Sequence, residues 1–234
     1  MTNNPGPDGD LKEVRQLWAG RFQGVLSTQS LADPGYPFGS VVPYCLDGAG
    51  QPLFLLSHLA QHCKNLDADP RCAFTIAEPT EGDVQQSLRL TCLGDCSPIP
   101  PQDAAAASRY FSYFPQGRVY FEELNFRFHR LTPRRFHFNG GFATARWLGT
   151  DRILRSSFPD PAQERQLRGE VEQRLPSVIR GLPDIGASSD EQTRIAGLDL
   201  WGLDLAAGDR LRRIPFSEPV ESVADLLAQL GDQG

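Results

Sequence analysis

The residues most able to do chemistry in this 234-residue chain lie in one short segment that contains Ser57, His62 and Lys64. Two apolar strands joined by a turn at 47–50 precede the segment, and a helical stretch follows it. A serine at this point can cap the helix with its hydroxyl, and the free amides of the first helical turn favour an anion such as phosphate. The segment therefore predicts an anion site. The alternative is that Ser57 only caps the helix and that Lys64, like Arg89 further on, is a solvated charge.

Histidine is scarce, with four residues in the chain. His58 and His62 lie four residues apart, a spacing that places them on one helix face and can bind zinc. Leu59 stands where a metalloprotease has its glutamate, and no third ligand lies close in the sequence, so we predict no metal site. His129 and His137 fall in predicted strands among aromatic residues. Their simplest interpretation is that both are partly exposed strand residues.

Composition and charge restrict the class of protein. Hydrophobic residues make up 40% of the chain, which is typical of a globular protein. The net charge of -6 argues against a nucleic-acid partner. Five cysteines, an odd number, predict free thiols and not a disulfide framework. No apolar run is long enough to cross a membrane and the first residues lack a signal-peptide pattern, so we expect a cytoplasmic protein with no membrane partner.

The pattern of apolar residues predicts an antiparallel β-barrel with few helices. Period-two alternation and apolar runs indicate strands, and a period near 3.6 indicates helices. The predicted strands lie at 22–28, 40–46, 52–56, 71–77, 88–93, 126–131 and 136–138. The predicted helices lie at 10–20, directly after Ser57, and at 103–111.

From about residue 150 the sequence changes character and predicts a second, small α/β domain. A charged helix begins at Ala162 and is interrupted or kinked by Pro176, and a loop at 181–189 follows it. Three short strands and a closing helix complete the domain. We predict a fold of class α+β, with a barrel domain at 1–149, a linker at 150–160 and a C-terminal domain at 161–234.

Several motifs together resemble the pyridoxamine 5'-phosphate oxidase-like FMN-binding split β-barrels, and most closely their haem-utilisation (HugZ-type) branch. The resemblance covers roughly residues 11–148, and no single motif would establish it. The motifs are Gly39-Ser40-Val41-Val42-Pro43, Ser57-x-Leu59-Ala60-x-His62-x-x-Asn65-Leu66, Asp69-Pro70-Arg71, Arg89-Leu90-Thr91-x-x-Gly94 and Gly140-Gly141-Phe142.

The resemblance implies a flavin site and a dimer. In flavin-binding members, basic and hydroxyl residues on the strand-helix segment and its neighbours hold the FMN phosphate, which here matches Ser57, His62, Lys64 and Arg89. The C-terminal Arg-Leu-His-x-Arg closure of true pyridoxamine phosphate oxidases is absent, so we expect no vitamin B6 oxidase activity. The resemblance thus predicts an FMN-binding oxidoreductase-type homodimer with its cofactor at the dimer interface.

A haem protein, binding or degrading haem, is the first alternative. Haem needs an axial ligand and an apolar wall with cationic partners for its propionates. The stretch 126–138 can supply that wall with Phe126, Phe128, Phe136 and Phe138, and the cations with Arg127, Arg130, Arg134 and Arg135. The His-Met-Asn-x-Asp-His signature of the branch is replaced here by Gly169-Glu170-Val171-Glu172-Gln173-Arg174, and no histidine follows His137.

A non-catalytic member that binds a tetrapyrrole or a protein is the second alternative. All three hypotheses share the dimer. We expect an open six-stranded barrel that exposes an apolar rim of Val41, Tyr44 and Phe74, which a second copy of the chain would cover.

Overall fold

The computed structural model describes residues 9–141, 144–154, 161–180 and 193–231. The chain divides into two compact units. The first consists of residues 1–111 and 115–155, and the second of residues 112–114 and 156–234. The predicted linker falls partly outside the described residues, and the predicted domain limits at 149 and 161 remain a proposal.

The first unit contains eight strands and four helices among the residues described. The helices are α1 (Gly9–Gly20), α2 (Gln61–Ala68), α3 (Ala104–Tyr113) and α4 (Gly117–Glu123), and a 3-10 turn spans Thr150–Arg152. The strands are β1 (Gln23–Gln29), β2 (Pro37–Pro43), β3 (Cys45–Leu46), β4 (Pro52–Ser57), β5 (Arg71–Ala77), β6 (Arg89–Pro98), β7 (Phe126–Asn139) and β8 (Arg146–Leu148).

The eight strands form one antiparallel sheet in the order β2-β1-β5-β6-β7-β4-β3, with β8 also paired to β7. The two strands at the ends of this path, β2 and β3, are separated in the chain by Tyr44 alone. Because one residue spans less than 4 Å, the sheet must curl until its ends approach each other. This confirms the predicted antiparallel split β-barrel, with eight strands in its sheet.

Alternation along the strands gives the sheet a buried inner face and a partly exposed outer face. The inner face of β5 presents Phe74 and Ile76, both buried, to a core that α1 covers with Trp18. Trp18 also donates a hydrogen bond to the carbonyl of Gly50 at 3.0 Å. Tyr44 and Phe74 are 1% and 0% exposed, so placing them on an exposed rim was wrong. Their rings pack at 4.9 Å from each other in the core.

Strand β7 continues where the sequence predicted two separate strands. Its 14 residues pass through Pro133, which lies at an irregularity in the pairing with β6 next to Gly94. Proline lacks an amide hydrogen and is tolerated at such a bulge. A Cβ on Gly94 would lie 2.3 Å from the carbonyl oxygen of Thr132, so only glycine fits this close approach.

Helix α4 was not predicted, because its Val119, Tyr120 and Phe121 favour strands by intrinsic preference. Its role is to close an aromatic cluster with α3 and β7. The ring centre of Phe128 lies 5.1 Å from that of Phe121 and 5.6 Å from that of Phe111.

The second unit is the predicted small α/β domain. It contains α5 (Pro161–Arg180), the strands β9 (Thr193–Asp199), β10 (Gly202–Ala207) and β11 (Arg210–Pro215), and α6 (Val223–Gly231). The three strands form an antiparallel sheet in the order β11-β10-β9. The helix α5 does not end at Pro176 but continues to Arg180. The predicted loop at 181–189 lies outside the described residues.

A buried ion cluster links the strands of this second unit. Arg213 donates hydrogen bonds to both oxygens of Asp199 at 2.6 and 2.8 Å and to both oxygens of Asp204 at 3.0 and 3.1 Å. Tyr113, which ends α3 and belongs to the second unit, donates a further hydrogen bond from its hydroxyl to Asp204 at 2.7 Å. The cluster satisfies charges that would be costly to bury alone.

Candidate functional site

A continuous row of side chains crosses the outer face of the barrel sheet. The register pairs each member directly with the next, from β2 through β1, β5, β6 and β7 to β8. The row, called the outer stripe below, consists of Val41, Val25, Thr75, Thr91, His137 and Trp147. At the usual strand spacing it is about 24 Å long.

The outer stripe is apolar at both ends and open to solvent. Val41 is 72% exposed, Val25 40% and Trp147 47%. In its middle, the hydroxyls of Thr75 and Thr91 lie 3.0 Å apart and bond to each other. Exposed apolar residues that neighbour one another, as Val25 and Val41 do, mark a binding surface.

At its β8 end the outer stripe carries an imidazole, and a cation lies beside it. The His137 ring lies 4.8 Å from the Trp147 ring, and the Arg135 guanidinium lies 4.3 Å above the same indole. Arg135 stands opposite Leu93, which extends the apolar surface by one row. An indole and a leucine side chain beside an imidazole and a guanidinium suit an anionic ligand with aromatic character.

A cleft of about 350 Å³ adjoins this surface and shares Leu93 with it. Two guanidinium groups, those of Arg71 and Arg134, are part of its lining. Each pairs with a carboxylate: Arg71 with Asp69 at 2.6 Å and Arg134 with Asp95 at 2.8 Å. The hydrogen bonds from Arg71 lower the pKa of Asp69 to about 2.

The predicted anion segment is built differently from expectation. The helix α2 begins at Gln61 with Ala60 as its N-cap and no side-chain cap, so the prediction that Ser57 caps the helix was wrong. The Ser57 hydroxyl instead accepts a hydrogen bond from the backbone amide of Leu59 at 3.3 Å. Residues 58–60 separate Ser57 from the first residue of the helix. Lys64 is exposed on α2.

His62 contacts a residue that the prediction omitted. Its Nδ1 lies 3.1 Å from the hydroxyl of Ser40 on β2, and its Nε2 is buried without a hydrogen-bond partner among the described residues. Burial, with a smaller effect of His129, lowers the pKa of His62 and so favours the neutral imidazole. Ser40 lies in the Gly39-Ser40-Val41-Val42-Pro43 motif, and this motif was the feature of the sequence that could have indicated it as a site residue.

Arg89 lies apart from His62, on the outer face and two residues before Thr91 along β6. Its guanidinium donates to the carbonyl of Val84 at 2.8 Å. No hydrogen bond among the described residues joins Ser57, His62, Lys64 and Arg89 to one another. The four-residue cofactor site therefore remains a prediction.

The predicted aromatic haem wall on β7 does not exist as a surface. Phe136 and Phe138 are 0% and 1% exposed in the barrel core, because their phase along β7 turns them inward. Phe128 is buried against α3 and α4, and Phe126 stacks on Tyr120 at 5.3 Å.

The cations of that stretch have separate roles. Arg130 pairs with Asp47 at 2.8 Å and with Asp103 at 3.3 Å, and Arg134 pairs with Asp95. Arg127 is exposed. Of these four arginines, Arg135 lies beside the outer stripe and Arg134 lines the cleft.

The two strand histidines differ in exposure. His137 is half-buried on the outer face, as predicted, but His129 is 0% exposed and was wrongly placed at the surface. Burial lowers the pKa of His129. Its Nε2 lies 3.8 Å from the sulfur of Cys63, and burial raises the pKa of that thiol.

Comparison with known proteins agrees with this architecture. The family model described as CREG, beta-barrel matches residues 10–153, which is more than half of the chain. The chain belongs to the CREG β-barrel family. The split-barrel resemblance drawn from the motifs is thereby confirmed.

The chain is also similar to individual proteins. It is 28% identical over 231 residues to the chloroplastic heme oxygenase HOZ of Arabidopsis thaliana, a match that covers 92% of this chain and 70% of HOZ. A protein of unknown function from Agrobacterium tumefaciens has the same fold, with a TM-score of 0.74, 22% identity and coverage of 99% of this chain and 98% of that one. A heme-binding protein from Mycobacterium smegmatis superimposes with a TM-score of 0.56, 24% identity and 95% coverage of both chains.

No helix among the described residues is long and apolar enough to span a membrane.

Proposed function

We propose that this family member binds haem on the outer stripe and in the adjoining cleft, and that it acts in haem utilisation as a homodimer. The observation that favours haem most is the row from Val41 to Trp147 on the outer face, in which the imidazole of His137 lies beside the exposed indole of Trp147. The similarity to a protein named as a heme oxygenase, over 92% of this chain, supports the same function.

The residues of this face fit haem. The imidazole of His137 would hold the haem iron, and the indole of Trp147 and the side chain of Leu93 would provide apolar contact. The guanidinium groups of Arg134 and Arg135 would pair with the propionates. Bound haem would supply the iron that binds and activates dioxygen. The protein's own contribution is to orient the macrocycle, neutralise its propionates and exclude water.

The same surface supports the proposal of a homodimer. A monomer would leave Val25, Val41 and Trp147 in contact with water, and a second copy covering the outer face would bury them together with the ligand. We expect a particle of about 52 kDa in solution, twice the 25.9 kDa of one chain. Val41→Glu places a charge in the interface and should yield the monomer in light scattering.

Flavin is the second candidate, and one observation favours it. Arg89, which was predicted to bind the FMN phosphate, lies on the same outer face as the stripe. An FMN site there would use Arg89 as a charge-assisted phosphate partner. If the protein binds flavin, we still expect no vitamin B6 oxidase activity.

An absorption spectrum of the purified protein, with haem or FMN added separately, tests both candidates. Haem binding should give a Soret band that shifts in His137→Ala and stays in place in the matched control His62→Gln. With ascorbate and air, the wild-type band should then decay if haem is degraded. A Soret band that shifts in His62→Gln and not in His137→Ala would contradict the proposed ligand. Binding of FMN but not haem, weakened in Arg89→Ala, would select the flavin function.

A further inference from the structure

Three potential metal ligands from two distant parts of the chain meet inside the barrel. They are the sulfur of Cys63 and a carboxylate oxygen of Asp67, both on α2, and a ring nitrogen of His129 on β7. All three atoms lie within 4.8 Å of one another. The sulfur of Cys63 and Nε2 of His129 are 3.8 Å apart.

The backbone and a second contact hold these ligands in position. Cys63 and Asp67 are four residues apart on α2, so they lie on the same face of the helix. Nδ1 of His129 lies 3.1 Å from the carbonyl oxygen of Arg127, a contact that requires the proton on Nδ1. The lone pair of Nε2 is therefore free and faces the sulfur. Such a contact on the second ring nitrogen is usual for histidines that bind metals.

We infer that Cys63, Asp67 and His129 form a binding site for one divalent transition-metal ion, with Zn²⁺ as the best match. A donor set of one sulfur, one nitrogen and one oxygen suits Zn²⁺, whereas Ca²⁺ and Mg²⁺ select oxygen ligands. In a tetrahedral zinc site, bonds of about 2.3 Å to sulfur and about 2.0 Å to nitrogen place the two ligand atoms about 3.5 Å apart. The observed 3.8 Å is close to that value.

Burial gives the site a closed side and an open side. Cys63 and His129 are 0% exposed, and Asp67 is exposed on α2. An ion enters past the carboxylate, and three protein ligands leave the fourth position to water. Binding replaces the thiol proton of Cys63, which is released to solvent as the metal-thiolate bond forms.

The site is independent of the proposed haem function. None of its three residues belongs to the outer stripe or to the cleft beside it. The competing explanation for the same geometry is a hydrogen bond from the Cys63 thiol to the imidazole, with no ion involved. A metal probe separates the two, because only a thiolate bound to metal gives a sulfur-to-metal charge-transfer band.

The experiment uses the full chain, stripped of metal with a chelator and titrated with Co²⁺ in place of the spectroscopically silent Zn²⁺. We expect one equivalent to bind with ligand-field bands of a tetrahedral ion and a thiolate charge-transfer band, and Zn²⁺ should displace it. Cys63→Ser should abolish the charge-transfer band, while the matched control Cys92→Ser, another fully buried cysteine, should retain it.

The variant Asp67→Asn tests the site at a position where a substitution should not impair folding, because the Asp67 side chain is exposed. It should weaken Co²⁺ binding about 10-fold or more with an unchanged circular dichroism spectrum, and the exposed control Asp33→Asn should leave binding unchanged. The inference is overturned if the wild-type chain binds no Co²⁺ at micromolar concentration, or if the thiolate band persists in Cys63→Ser. Neither result would bear on haem binding, which depends on His137.

Discussion

Replacing Arg213 with methionine should destabilise the second unit strongly, because Arg213 is the cation between two buried carboxylates. The side chains of Arg213, Asp199 and Asp204 are 6%, 10% and 3% exposed in their ion pairs. Methionine keeps most of the aliphatic stem but removes four hydrogen bonds and the charge. Removing one partner of a buried ion pair costs about 3–5 kcal/mol, a large share of the roughly 5–15 kcal/mol that stabilises a whole domain.

The loss should depend on pH with a definite sign. Burial raises the pKa of Asp204, and the charge of Arg213 opposes that shift. Without the arginine, burial acts with less opposition and the pKa rises further above the value of about 3.9 for an unfolded aspartate. The folded variant then binds more protons than the unfolded chain, so its stability increases as the pH falls from 7 towards 5.

Hydrogen exchange of the amides in β9, β10 and β11 measures this effect in the second unit, at pH 7 and pH 5 and with rates corrected for intrinsic pH dependence. Arg210→Met, on the same strand but exposed, is the matched control and should change stability by less than about 0.5 kcal/mol. Adding Asp204→Asn to Arg213→Met should recover part of the loss. A loss below about 1 kcal/mol, or one of equal size at both pH values, would refute the reasoning.

Two further predictions concern the barrel. Gly94→Ala should lower the free energy of unfolding by about 1–3 kcal/mol, because the new Cβ would lie 2.3 Å from the backbone oxygen of Thr132. The midpoint of urea unfolding measures this change. The control Gly48→Ala, whose new Cβ meets nothing within 4 Å, should stay near wild type. Asp69 should titrate with a midpoint of about 2 in NMR, since its bonds to Arg71 favour the carboxylate, and it contributes stability that is lost as the pH falls through that value. In Arg71→Gln the midpoint should rise towards about 3.9 but stay below it, because the backbone amide of residue 71 still donates to Asp69, and an unchanged midpoint would rule out the side-chain pairing.

The elements that could be predicted were those with clear boundaries and a regular period. Strand β5 was predicted at 71–77 and observed at Arg71–Ala77, because Pro70 marks its start and buried residues alternate along it. The extent of β7 was missed, since Pro133 normally ends a strand and only the bulge opposite Gly94 lets it continue.

The sides of the strands that face the core were harder to assign. A period of two shows that one face is buried but not which, and in a curled sheet both faces receive apolar residues. Tyr44 and Phe74 were therefore placed at the rim although they lie in the core. The row from Val41 to Trp147 depends on the registers of five strand pairs, and such pairings between distant segments leave no local trace in the sequence.

The candidate sites followed the same division. His62 was found because it lies in a recognisable motif, whereas its partner Ser40 lies 22 residues earlier and was not connected to it. The contact between Cys63 and His129 spans 66 residues, so a search for metal ligands at short spacing could not detect it. Spacing rules find ligands within one helix or loop, and here the ligands come from a helix and a strand.

The proline residues at the two ends of β2 have a consequence for association between misfolded chains. Among the described strands, β2 pairs only with β1, so its other side is a free edge that can template the addition of a foreign strand. Pro37 and Pro43 remove an amide hydrogen from each end of this edge, and β3 at the other end of the sheet is only two residues long. Edges that are interrupted by proline, as β2 is, or very short, as β3 is, give an incoming strand few hydrogen bonds, which protects the curled sheet against edge-to-edge aggregation and domain swapping.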